Sequence, residues 1–150
     1  MSDESMERDL TLNSGISAFE AKHFVKAHQL LEGLAAEGDP EAQFRMAIMY
    51  QNGLGTTANP DKALAYMRGA AEQGHALAQH GLGFMYLEGE CVAKDGAQAV
   101  AWFEKAADQG LQGSMATLAM MYNEGNGVPE DKDRARELYA RAGFDPSEFT

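Results

Sequence analysis

Three tyrosines, Tyr50, Tyr86 and Tyr122, fall 36 residues apart, each inside a Met-Tyr-x-x-Gly string. The rest of the chain keeps the same register without a gap. Gly53, Gly89 and Gly125 match, as do Ala63, Ala99 and Ala135, then Ala70, Ala106 and Ala142. Ala-x-x-Gln-Gly recurs from Ala70 to Gly74 and from Ala106 to Gly110. So many positions returning at one spacing mark a unit copied in tandem. A unit of this length cannot bury its own apolar face, so neighbours must stack, which constrains the chain to a solenoid.

Each period reads as helix, glycine loop, helix. Asp39-Pro40 supplies an N-cap and a proline at the first helical position, where the missing N–H costs nothing. The spacing predicts a first helix over 41–51, a break at Asn52-Gly53-Leu54-Gly55, and a second helix that starts at Asn59-Pro60 and ends near Gln73-Gly74. The next copies give 77–87 and 95–109, then 113–123 and, after the loop Glu124–Pro129, a helix ending near Ala142. Small side chains at 63, 70, 99, 106, 135 and 142 let helix backbones approach closely. Bulky residues fill the space between: Tyr66 and Met67, Trp102 and Phe103, Leu138 and Tyr139 hold equivalent places. Trp102 is therefore read as a packing residue.

Composition limits what such an array can do. With 45% apolar and 23% charged residues over 150 positions, the chain reads as one folded array. No run approaches a membrane span, and the acidic start from Met1 to Asp9 is unlike a basic secretory signal, so a cytoplasmic protein is expected. The net charge of −11 repels phosphate backbones and anionic lipid, which argues against nucleic-acid and membrane partners. The cations Lys132, Arg134, Arg136 and Arg141 alternate with Glu130, Asp131, Asp133 and Glu137, the pattern of a solvated helix with internal ion pairs. A single cysteine, Cys91, excludes an internal disulfide.

Before the first full period lies a degenerate one: Gly15, Phe24, Ala27, Leu31 and Leu34 precede Asp39-Pro40, with a short turn near Lys22-His23. Its spacing is that of a tetratricopeptide repeat. The segments Ala78-Gln79-His80-Gly81-Leu82-Gly83-Phe84-Met85-Tyr86-Leu87-Glu88-Gly89 and Ala99-Val100-Ala101-Trp102-Phe103-Glu104-Lys105-Ala106-Ala107-Asp108-Gln109-Gly110 resemble the Sel-one-like repeat (SLR), a longer-looped relative. Ala47 and Ala119 depart from the glycine kept at Gly83, and the loop Gly89-Glu90-Cys91-Val92 lacks the Gly-x-Gly of the other two. The resemblance implies an all-α fold, a right-handed solenoid of antiparallel helix pairs. The expected division is a flexible acidic N-terminus (1–9), one solenoid domain (10–143) and a tail (144–150). Within the solenoid, a tetratricopeptide-like unit covers 10–38 and SLR units cover 41–76, 77–112 and 113–143. The resemblance also implies an adaptor or scaffold that binds other proteins.

Recurring residues hold the solenoid together, so partner information should sit where the copies differ. Positions 42, 46, 49, 50 and 53 recur and gather on one helical face, while 44, 48 and 51 lie nearly opposite. The resemblance implies that this second face lines the concave groove. Read through the four units it is Leu12, Ile16 and Phe19; Phe44, Ile48 and Gln51; His80, Phe84 and Leu87; Ala116, Met120 and Asn123. The next position along the rim is Glu20, Asn52, Glu88 and Glu124. An apolar groove with an acidic edge suits a helix or extended peptide that presents apolar anchors beside Lys or Arg. Closure of the groove into core, or its occupation by the tail from Phe144 to Thr150, are the alternatives.

Catalytic and metal chemistry find little support. His23 and His28, and His75 and His80, are each five apart and so lie on different helical faces, and no His-x-x-x-His pair exists. The loop Asn123–Gly127 with Glu130, Asp131 and Asp133 does not match a calcium loop. No nucleophile, base and oxyanion donor assemble from a motif. The expectation is a non-enzymatic binding protein without cofactor or metal, a monomer or weak homo-oligomer. An inhibitor or immunity protein that caps an enzyme, or a homo-oligomeric scaffold, is the alternative.

Overall fold

A computed structural model describes residues 3–145, and among them it contains eight α-helices and no strand. They are α1 (Asp3–Glu20), α2 (Phe24–Ala36), α3 (Pro40–Asn52), α4 (Pro60–Glu72), α5 (Ala76–Glu88), α6 (Gly96–Asp108), α7 (Gln112–Glu124) and α8 (Lys132–Arg141). The chain is an all-α repeat solenoid. Segment 1–9, expected to be flexible, is helical from Asp3. Asp3 and Glu4 place negative charge at the positive end of the helix dipole, and Arg8 reaches Asp39 at 3.9 Å, tying the extra turns to the start of α3.

Helix starts are fixed by side-chain caps at the repeat spacing. Asn59, Asp95 and Asp131 each accept a hydrogen bond from the backbone N–H three residues on, at 3.0–3.1 Å. Each such cap contributes about 1 kcal/mol. The helices that open the periods are capped unequally: Asp39 accepts from Ala42 N at 3.0 Å, His75 Nδ1 from Ala78 N at 3.1 Å, and Leu111 makes no side-chain cap.

The described residues group into two compact units that divide between Ala78 and Gln79, inside α5, where the sequence reads as one array. In a repeat protein each hairpin touches only its neighbours, so compactness is a local property. In the first unit α1 packs on α2, α2 on α3 and α3 on α4. Its core holds Ala27, Leu31, Met46, Met49, Ala63 and Met67. In the second, α6 packs on α7 and α7 on α8, around Leu82, Met85, Phe103, Leu118, Met121 and Leu138. The repeated alanines at 63, 70, 99 and 106 are fully buried, as close helix approach requires. Trp102 is only half-buried, with Lys105 Nζ 4.8 Å from its ring centre, and its neighbour Phe103 is the buried residue of that turn.

Two glycine contacts set the backbone spacing. Gly55, in the α3–α4 loop, has φ +69°, and a Cβ on it would stand 2.5 Å from the Phe24 carbonyl carbon and 2.7 Å from Val25 N. The loop therefore rests directly on the first peptide group of α2. In the second unit Gly127 (φ +80°) meets Gly96, the first residue of α6, in the same way, a Cβ falling 2.8 Å from Gly96 Cα. Cys91, which holds the equivalent place in the middle loop, keeps the left-handed conformation at φ +65° despite its side chain, at a cost of about 1 kcal/mol.

Candidate functional site

The recurring face is the packing face. Ala42, Met46, Met49 and Tyr50 are buried, as are Ala78, Leu82, Met85 and Tyr86, and then Ser114, Leu118 and Met121. A second set of recurring contacts is the reason for the Ala-x-x-Gln-Gly string. Gln73 Nε2 donates to Gln43 Oε1 at 3.0 Å and to Gly38 O at 2.8 Å, and Gln109 Nε2 donates to Gln79 Oε1 at 2.9 Å. These glutamines clasp the end of a hairpin's second helix to the start of its first.

The opposite face behaves differently. In the first unit Leu12, Ile16 and Phe19 of α1 and Phe44, Ile48 and Gln51 of α3 are all half-buried, neither sealed in the core nor standing free. Glu20 and Asn52 at their edge are exposed. This face also carries a polar network that the column of positions omits. Arg45 pairs with Glu41 at 2.5 Å and with Glu20 at 3.9 Å, and its guanidinium lies 5.7 Å from the Phe19 ring centre. His75 Nε2 lies 3.0 Å from Glu41 Oε1, and the ring stacks on Phe44 at 4.8 Å. Burial alone would raise the Glu41 carboxyl. The hydrogen bond from Arg45 and the charges of His75 and Arg45 outweigh it and hold the group below its usual range. Glu41 is the shared acid of the network.

In the second unit His80, Phe84, Leu87 and Asn123 are half-buried, and Met120 is 44% exposed. Glu88 and Glu124 are exposed. His80 sits against aromatic edges, 4.9 Å from Phe84 and 5.5 Å from Phe103. Its Nδ1 lies 2.6 Å from Ser114 Oγ. Ser114 is fully buried, so this Ser–His pair fixes a ring orientation and cannot offer a nucleophile to a substrate. Asn123 accepts from Lys132 Nζ through both its backbone and side-chain oxygens.

Burial drives His80 below the ordinary histidine value of 6.5. The native ring stays neutral while the unfolded chain takes up a proton, so stability is full above pH 6.5 and falls as pH drops below it. His80→Gln removes this slope. Thermal midpoints measured from pH 7.5 to 5.5 show it, and an unchanged slope in the variant contradicts the assignment.

The remaining candidates disperse. His28 contacts Tyr50 OH at 3.3 Å and Glu32 at 3.6 Å, and His23 is exposed. Among the described residues no group of three or more His, Cys, Asp or Glu side chains could hold a metal ion. Three of the four C-terminal cations are paired: Arg134 with Glu104 and Glu137, Arg136 with Asp133, and Lys132 with Glu130. Phe144 packs edge-on against Tyr139 at 6.1 Å, while Phe149 lies outside the described residues. No described helix is long and apolar enough to cross a membrane.

Helical hairpins with a packing face that recurs in register and a variable opposite face define an α-helical repeat protein. The Sel1 repeat family model matches residues 40–75, 76–111 and 113–143. The chain belongs to the Sel1 repeat family, whose repeats generally serve as protein-interaction modules. Among solved structures, a Sel1 repeat protein from Oxalobacter formigenes is similar with a TM-score of 0.83 and 31% identity, over 93% of this chain and 54% of that one. A protective antigen of uropathogenic Escherichia coli that displays an SLR fold gives 0.74 and 39%, over 76% of this chain and 24% of that one. The cysteine-rich protein B of Helicobacter pylori shares the fold at 0.59 and 21%, over 87% of each. The chain thus spans about half the length of the Oxalobacter protein. No curated protein sequence matched it.

Proposed function

We propose that this chain is a non-enzymatic, cytoplasmic protein-interaction module that receives a peptide or helix on the variable face of its period-opening helices. The observation that carries this is that the non-repeating positions there are mostly apolar and, Met120 apart, half-buried in both units. A face given over to solvent would be polar, and one given over to the core would be closed. On the first unit the receiving side chains are Leu12, Ile16, Phe19, Phe44, Ile48 and Gln51, beside Glu20 and Asn52. On the second they are His80, Phe84, Leu87, Met120 and Asn123, beside Glu88 and Glu124. The partner presents apolar anchors next to Lys or Arg, which the exposed edge acids complement.

Phe44→Glu and Phe84→Glu, one variant per unit, test the reading. Immobilised wild type is expected to retain a partner from host extract that either variant loses by tenfold or more, about 1.4 kcal/mol, with little change in thermal midpoint. Retention by both variants, or collapse of cooperative unfolding in both, overturns it.

A further inference from the structure

The first hairpin lacks the tyrosine that every later period has. Aligned on the close-packed positions Gly15 and Ala47, Ala18 stands where Tyr50 stands, and, across a connection four residues shorter, the buried Ala27 matches Ala63 and Lys26 matches Lys62. In the first full period Lys62 Nζ covers the Tyr50 ring, 5.2 Å from its centre. In the first hairpin there is no ring to cover. Instead Ala18 and Lys26 line a cavity of about 440 Å³, with Ser14, Ser17 and Asn13 along α1 and Leu10, 61% exposed, at its rim.

A second cavity, of about 680 Å³, adjoins it, sharing His23 and Lys26 and adding Lys22, Phe24 and Val25, the last 61% exposed. Among the described residues no Asp or Glu lines either cavity, in a chain with 23 acids against 12 lysines and arginines. Lys22 and Lys26 form no ion pair among the described residues. Two exposed lysines without an ion pair thus stand beside cavities that no acid lines.

We propose that this end of the first hairpin is a second binding site, which takes an acidic peptide segment carrying an aromatic side chain. The ring fills the place of the missing tyrosine, against Ala18 and under Lys26, as Tyr50 lies under Lys62. The flanking carboxylates meet Lys22 and Lys26, and Asn13, Ser14 and Ser17 offer hydrogen bonds to the peptide backbone. This ligand is opposite in charge to the partner of the variable face, so the two sites do not compete. A polyanion such as single-stranded nucleic acid would meet the same lysines. The acidic remainder of the chain repels it, whereas a short peptide places its charge locally.

The test uses the full chain and a fluorescein-labelled peptide, Glu-Asp-Phe-Glu-Asp-Gly, followed by anisotropy. Saturable binding is expected, weakened tenfold or more when the peptide's Phe is replaced by Ala or its acids by Lys. Ala18→Tyr, which refills the slot with the chain's own ring, and Lys26→Glu are each expected to weaken binding by at least tenfold. Lys94→Glu, which changes the net charge equally in the other unit, leaves it unchanged. Circular dichroism confirms that the variants are folded. No binding, binding indifferent to the peptide's ring or to Ala18→Tyr, or tighter binding of a single-stranded oligonucleotide overturns the proposal.

Discussion

Gly55→Ala is expected to lower the free energy of unfolding by about 3 kcal/mol, whereas Gly53→Ala, two residues earlier, costs about 1 kcal/mol. The two glycines have nearly the same left-handed φ, +69° and +66°. The conformational penalty of a side chain is therefore the same at both, about 1 kcal/mol. They differ in what a Cβ would meet. At Gly53 the nearest atom, Ala58 N, is 3.5 Å away, an ordinary contact. At Gly55 it is the backbone of Phe24 at 2.5 Å, which cannot turn aside as a side chain could. Accommodating the methyl group requires the α3–α4 loop to lift off α2. Urea titration of both variants measures the difference, and equal losses would show that the close approach contributes nothing.

The second large effect is a compensation between helices. A Cβ on Gly83 would fall 2.7 Å from Phe103 Cε1, and Phe103 is fully buried, so its ring has nowhere to go. Gly83→Ala should cost about 2 kcal/mol through overpacking. Phe103→Met should cost about 1.5 kcal/mol through lost packing. The double variant reinstates the pair found one period earlier, Ala47 with Met67, both buried. It should lose less than the sum by about 1 kcal/mol or more. Strict additivity in a double-mutant cycle would refute the coupling.

These two contacts also show why some of the fold is legible in the chain and some is not. The period, the caps at Asp39 and Asn59 and the packing face through Tyr50 are written as residue types at fixed spacing, which local chemistry reads directly. The seat of Gly55 on Phe24 is not local: a glycine in a loop and the start of a helix 31 residues earlier carry no mark of meeting. The same limit applies to the variable face. Its apolar column and acidic edge follow from 3.6-residue periodicity, as does the i,i+4 pair of Glu41 and Arg45, but His75 joins them only because the turn before α5 meets the start of α3 in the first unit. The one signal for His75 was its register with Asp39, a cap position. The helical start of the chain escaped for the opposite reason: its seven acidic and polar residues look disordered until Arg8 finds Asp39.

Three equivalent cap positions carry a carboxylate, an imidazole and a leucine, and that inequality grades the exchange of backbone amide hydrogens. The first turn of α3, held by Asp39, should be protected over the longest times, and the first turn of α7, which Leu111 leaves without a side-chain acceptor, should exchange fastest. The first turn of α5 is conditional. His75 caps it through Nδ1 while Nε2 meets Glu41, so a second side chain orients the cap, and Glu41→Ala should speed exchange at this helix end and leave that of α7 untouched.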